Sequence, residues 1–197
     1  MGIELLIGVS SEGATVAEAE LTDEDPNDVI KQARVHGVEL LWLHTSSDMS
    51  RFGFSRASGY VRMRAEVAPA GEPLPTLAGA EYATTLENAY RGLWGHKKVA
   101  ADTSPPTDAT VVGLYDGAEP LGICTVWARE RLVDGPGVVP KARSTSNYAR
   151  LLLGACAALG PGSIDLDSWG DRPDVIQAYA DLGFVPVEQV TGWEMQL

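Results

Sequence analysis

The chain has 197 residues, 45% hydrophobic and 21% charged, which is enough apolar material for a sizeable core and leaves no long disordered tract. Its net charge is −12 and its only short basic cluster is His96-Lys97-Lys98, which argues against a duplex-binding stripe and a nucleic-acid partner. The start, Met1-Gly2-Ile3-Glu4-Leu5-Leu6, lacks the order of a signal peptide, and no apolar run is long enough for a bilayer, so a cytoplasmic protein without membrane contact is expected.

Residues 3–9 and 14–21 read as a hairpin of two short strands. Asp25-Pro26 opens a helix, with an acidic cap followed by proline at the first helical position. Val29, Ile30 and Ala33 form its apolar stripe, and Gly37 ends it. Val38–Leu43 has the length of a buried strand. Over 61–67, Val61, Met63, Ala65 and Val67 alternate with Arg62, Arg64 and Glu66, as in a strand with one buried face. Residues 68–79 carry Pro69, Gly71, Pro73, Pro75 and Gly79 and read as a linker or irregular connection. A helix over 80–94 follows, with Tyr82, Leu86, Ala89, Tyr90, Leu93 and Trp94 on one side and the basic cluster at its end. Residues 101–109 form another loop.

Thr110–Tyr115 and Pro120–Trp127 flank Asp116-Gly117-Ala118-Glu119, a hairpin signal. The second strand is expected to run on through Leu132, and Asp134-Gly135-Pro136-Gly137 to bend the chain. A helix over 147–159 presents Tyr148, Leu151, Leu152, Ala155, Cys156 and Leu159 on one face and stops at Gly160-Pro161. Ser163–Asp167 is a strand, Asp171–Leu182 a helix and Val185–Leu197 the closing strand or strands. The alternation of Trp193, Met195 and Leu197 suits either core or the interface of a homodimer. A weak internal repeat relates Gly53-Phe54 to Gly183-Phe184 and Gly59-Tyr60 to Gly192-Trp193, although the first copy has only Thr45–Arg51 where the second has a whole helix. Cys124 and Cys156 lie in apolar runs and read as buried thiols, and no metal-ligand spacing is present.

The segment Val138-Val139-Pro140-Lys141-Ala142-Arg143, with Leu151-Leu152 in register after it, resembles the cofactor segment of the GNAT acetyltransferases. Tyr179-Ala180-Asp181-Leu182-Gly183-Phe184 resembles the end of that family's fourth helix. The resemblance covers residues 60–197. It implies an α/β fold with a mixed, twisted sheet, helices on both faces and strands splayed to admit acyl-CoA. It also implies a truncated GNAT-like half at 1–67 and an acetyltransferase domain at 68–197. With the repeat, it is similar to tandem transferases of the mycothiol-synthase kind. Acetyl-CoA is the implied co-substrate and a small-molecule amine the implied acceptor, selected by loops such as 68–79 and 101–109.

Unpartnered amides at a helix N-terminus make an anion site. On the resemblance, Arg143, Ser144, Thr145, Ser146, Asn147 and Tyr148 cradle the pyrophosphate, and Val138 and Val139 line the pantetheine arm. The family turn has glycine where Ser146 stands and glycine or alanine at Tyr148. The Tyr148 ring is expected either to block the turn or to point into the core. A ring in the turn would favour a degenerate binding or scaffold protein that has lost CoA chemistry. Tyr179 is the implied acid for the leaving thiolate, or else a core residue on a stripe with Val175, Ile176 and Leu182. Glu130 is the expected base, with Asp165 and Asp167 as alternatives sharing one face of the next strand.

Overall fold

A computed structural model describes residues 5–9, 13–21, 23–90, 104–169 and 172–197. These divide into two compact units, 5–60 with 189–197, and 61–90 with 104–188. The units do not follow the sequential blocks 1–67 and 68–197, because strands β4 (Ser55–Ala65) and β9 (Val185–Gln196) each contribute residues to both.

In the first unit, β1 (Leu6–Val9) and β2 (Thr15–Glu20) pair antiparallel. Helix α1 (Pro26–Val35) then returns the chain so that β3 (Leu40–Thr45) lies parallel to β2, from Val16↔Leu40 to Glu20↔His44. The helix starts where expected. The Asp25 carboxylate accepts the Asn27 amide at 2.9 Å and Pro26 takes the first position, a cap worth about 1 kcal/mol. Val29, Ile30 and Ala33 are buried against Ala17, Ala19, Leu41 and Leu43. The later part of β9 pairs antiparallel with β3, and Trp193, Met195 and Leu197 pack in this same core.

The second unit has the strand order β4-β8-β7-β6-β5. Its remaining elements are α2 (Gly79–Tyr90), β5 (Thr110–Asp116), β6 (Glu119–Trp127), β7 (Leu132–Val138), α3 (Thr145–Leu159), β8 (Ile164–Trp169) and α4 (Pro173–Asp181). The pairs β5–β6 and β6–β7 are antiparallel and β7–β8 is parallel, so the sheet is mixed. Met63, Val133, Ile164 and Leu166 face α3 and α4 and meet Tyr148, Leu151, Leu152 and Val175. Burying each leucine there contributes about 1.5–3 kcal/mol. Leu77, Val111 and Ile123 form a separate cluster with Tyr82 and Ala89 of α2, so helices cover both faces. Leu93, Trp94 and His96-Lys97-Lys98, expected at the end of α2, lie outside the described residues, as do Asp171 and part of the 101–109 loop.

One open alternative is decided and two local expectations change. The 68–79 segment is the irregular connection, packed on its neighbours, rather than a linker. The Leu77 amide donates to Val111 O and the Gly113 amide to Pro75 O, both at 2.9 Å. Leu74 lies so close to α3 that a Cβ at Gly154 would stand 2.3 Å from its Cγ. The strand read through Leu132 is instead broken by a turn at 128–131, where Arg131 has φ 54°. The Arg131 guanidinium donates to the carbonyls of Leu159, Gly160, Pro161 and Ser163, which ties that turn to the α3–β8 loop. Finally, Asp134-Gly135-Pro136-Gly137 does not leave the sheet. Ile123 pairs with Gly137 and Thr125 with Asp134, so the register shift absorbs Gly135-Pro136 as a bulge. A proline there removes no ladder bond.

Candidate functional site: the divergence of two parallel strands

β7 and β8 pair at three rows only, Leu132↔Asp165, Val133↔Leu166 and Asp134↔Asp167, while β7 continues to Val138. Carbonyls of a strand point alternately to its two edges. The Asp165 amide donates to Arg131 O, so the carbonyls of residues 131 and 133 face β8. Gly135, just beyond the last paired row, has φ 54° and breaks that alternation in the bulge. After the bulge, the Val139 amide donates to Leu121 O of β6, which turns Val138 O toward the β8 side as well. The divergence therefore frees Val138 O on that edge, and Gly135 O lies in the bulge just past the last paired row.

Side chains take both. The Tyr90 hydroxyl donates to Gly135 O. Arg143 Nε donates to Val138 O at 3.0 Å, and its terminal nitrogen donates to Ala89 O at 3.1 Å. The Tyr90 ring lies against the strand so closely that a Cβ at Gly137 would stand 3.1 Å from its Cζ. The Arg143 guanidinium, expected on a phosphate, thus clamps two backbone carbonyls here.

Beyond β7, Ser144 caps α3. Its Oγ accepts the Asn147 amide at 3.2 Å, and the Asn147 side chain donates to Ala142 O at 2.8 Å. This cap starts the helix at Thr145 rather than 147. The amides of Thr145 and Ser146 have no protein acceptor among the described residues, and the first turn carries no acid. The positive end of the helix is open to an anion. Tyr148 is 2% exposed within the α3 core, so its ring does not plug the turn. Tyr179 is 0% exposed in the same cluster.

The carboxylates separate clearly. Glu130 is exposed in the β6–β7 turn, at the start of β7, with the whole strand between it and the turn at 143–146. At roughly 3.3 Å per residue that is on the order of 20 Å. Asp165 forms a two-point pair with Arg64 at 2.7 and 2.9 Å, and the guanidinium holds its carboxyl below the usual range. Asp167 is buried and paired with Arg62 through two bonds of 2.7 Å. Asp134, in the last paired row beside Asp167, has no such cation of its own. Its carboxylate accepts the Trp169 indole at 2.9 Å and that of Trp127. Burial, with the neighbouring Asp167 charge, pushes its pKa above the ordinary carboxylate value despite those two donors. The sequence reading gives Asp134, Tyr90 and the two indoles no site role, because Asp-Gly-Pro-Gly has the composition of a bend.

Burial pushes the Cys156 thiol up to about 12 and the Cys124 thiol well above its usual value, so neither is poised as a nucleophile. No helix among the described residues is long and apolar enough to cross a membrane.

No protein-family model and no curated protein matches the chain. Solved structures do. A putative acetyltransferase from Pyrococcus horikoshii aligns over 99% of this chain and 69% of its own, at 14% identity and a TM-score of 0.65. A GCN5-related N-acetyltransferase from Kribbella flavida aligns over 98% and 89%, at 14% identity and a TM-score of 0.58. A tandem GNAT protein from the clavulanic acid biosynthesis pathway aligns over 93% and 76%, at 16% identity and a TM-score of 0.57. At these identities the likeness is one of architecture, and the chain has the fold of the GCN5-related N-acetyltransferases.

Proposed function

We propose that the protein transfers an acetyl group from acetyl-CoA to a small-molecule amine. One observation carries this reading: a strand edge freed by the divergence of β7 and β8 leads to a helix N-terminus with open amides and no acid. A diphosphate suits the amides of Thr145 and Ser146, with the hydroxyls of Ser144 and Ser146 beside them. Pantetheine is an extended chain with two amides, and such a chain lies along the freed strand edge at Val138, with Val139 beside it. Arg143 shapes that turn on the same side by holding Val138 O. Asn147 holds the turn from Ala142, and Tyr148 anchors the helix in the core.

For the chemistry, the amine nitrogen attacks the thioester carbonyl, the C–S bond breaks and the amine proton passes to a base. Asp134 fits that role better than Glu130, Asp165 or Asp167. It stands at the apex of the divergence, its pKa is raised, and it is not held by an arginine as the other two aspartates are. Tyr179 is the proposed proton donor to the departing thiolate.

Calorimetry with acetyl-CoA at up to millimolar concentration tests the reading, and absence of binding removes it. With an amine acceptor in hand, Asp134→Asn should lower kcat by about 10²–10⁴-fold and remove the acidic limb of the pH–rate profile. A second reading has its own support, since Tyr179 is fully buried. On that reading the protein keeps the fold as a binding or scaffold module. Acetyl-CoA binding with unchanged turnover in Tyr179→Phe would take the acid role from this residue, and binding without any turnover would favour the scaffold.

A further inference from the structure

The start of the divergence is occupied by the protein itself. Tyr90 holds Gly135 O and Arg143 holds Val138 O, and Arg143 also grips Ala89 O, one residue before Tyr90. Residues 89 and 90 of α2 are thus fastened to the strand. The phenol ring fills the space over Gly135 and Gly137, where a Cβ at Gly135 would stand 2.3 Å from the Tyr90 oxygen. A ligand that enters between the diverging strands meets the Tyr90 hydroxyl at Gly135 O, just past the last paired row.

Resting on the acyl-CoA reading above, we infer that Tyr90 sets the affinity of the cleft. Its hydroxyl holds Gly135 O in the unloaded protein, and ligand entry releases it together with residues 86–90 of α2. A ligand amide that replaces the phenol exchanges one hydrogen bond for another and gains little. Removing the hydroxyl leaves Gly135 O to water, so the ligand no longer has to break a protein contact.

The test is calorimetric titration of acetyl-CoA into wild type and Tyr90→Phe, with hydrogen exchange read over residues 86–90. Tyr90→Phe should bind about three- to tenfold more tightly, the range of one neutral hydrogen bond. Saturating acetyl-CoA should speed exchange at 86–90 in wild type and change it little in the variant. Wild-type binding with equal or weaker binding by Tyr90→Phe overturns the inference and leaves the acyl-CoA reading standing. No binding by either protein overturns both. If Tyr90→Phe does not fold, wild-type exchange decides: loosening at 86–90 on ligand addition supports the inference, and protection or no change overturns it.

Discussion

Each unit contains one parallel strand pair joined by a helix, β2–α1–β3 in the first and β7–α3–β8 in the second. Each crossover is followed by a glycine at positive φ and a buried phenylalanine, Gly53 (φ 89°) with Phe54 and Gly183 (φ 97°) with Phe184, at the head of a long strand. The backbones share a plan, yet they differ where the proposed site lies. β2 and β3 stay paired through five rows to Glu20↔His44, whereas β7 and β8 part after three. The caps differ in sign. α1 is closed by the Asp25 carboxylate with Asp28 in its first turn, and α3 by the neutral Ser144 with no acid in its first turn. A helix N-terminus attracts an anion only when the cap is not itself an anion, and a strand edge accepts a ligand only when its neighbour has left.

Four changes test this contrast. Tyr148→Gly has the largest expected effect. Loss of a buried ring and a glycine inside α3 should together cost about 4–6 kcal/mol, read as a lower urea midpoint. Because the ring faces the core, the folded fraction should gain no affinity for acetyl-CoA. A gain would mean that the ring does block the turn. Ser144→Asp comes next, as it gives α3 the cap chemistry of α1. Helix capping should survive and the melting temperature hold, while acetyl-CoA affinity falls about tenfold or more in calorimetry. Unchanged affinity would separate the helix terminus from the anion.

Asp134→Asn should have a smaller, pH-dependent effect on stability. The folded-state pKa of Asp134 lies above its unfolded value of about 3.9, so its contribution is fully present below pH about 4 and is lost as pH rises through the folded pKa. The variant should therefore melt higher than wild type at pH 7, and the gap should close below pH 4. A gap that persists in acid would show that Asp134 is not the cause. Asp25→Ser should do least. Serine still caps α1, so stability should move by no more than about 0.5 kcal/mol, and no acetyl-CoA site should appear beside β2 because its edge remains paired.

Much of this architecture was legible in short stretches of sequence. Asp25-Pro26 announced α1, Asp116-Gly117 the β5–β6 hairpin, and Gly160-Pro161 the end of α3, because caps and tight turns depend on a few adjacent residues. The stripe of Tyr148, Leu151, Leu152 and Ala155 was visible for the same reason. The direction of the Tyr148 ring was not, since a helical residue after a cap can face either the turn or the core. The site itself was less legible still. Asp-Gly-Pro-Gly has the composition of a turn, and only the pairing of Ile123 with Gly137 and Thr125 with Asp134 makes it a bulged strand. Glu130 reads in sequence as near the end of a long strand, whereas Arg131 turns the chain there.

Residue types and their periods determined most of the elements and their order, and the resemblance of residues 138–152 to the GNAT cofactor segment pointed to the helix whose N-terminus could receive an anion. Tertiary structure decided where β8 leaves β7, that Asp134 stands at that point between two indoles, and that Tyr90 and Arg143 occupy the carbonyls of Gly135 and Val138. The physical reason is range. Capping and periodicity act within a few residues, whereas a carbonyl is free or taken according to a neighbouring strand and a helix tens of residues away in the chain.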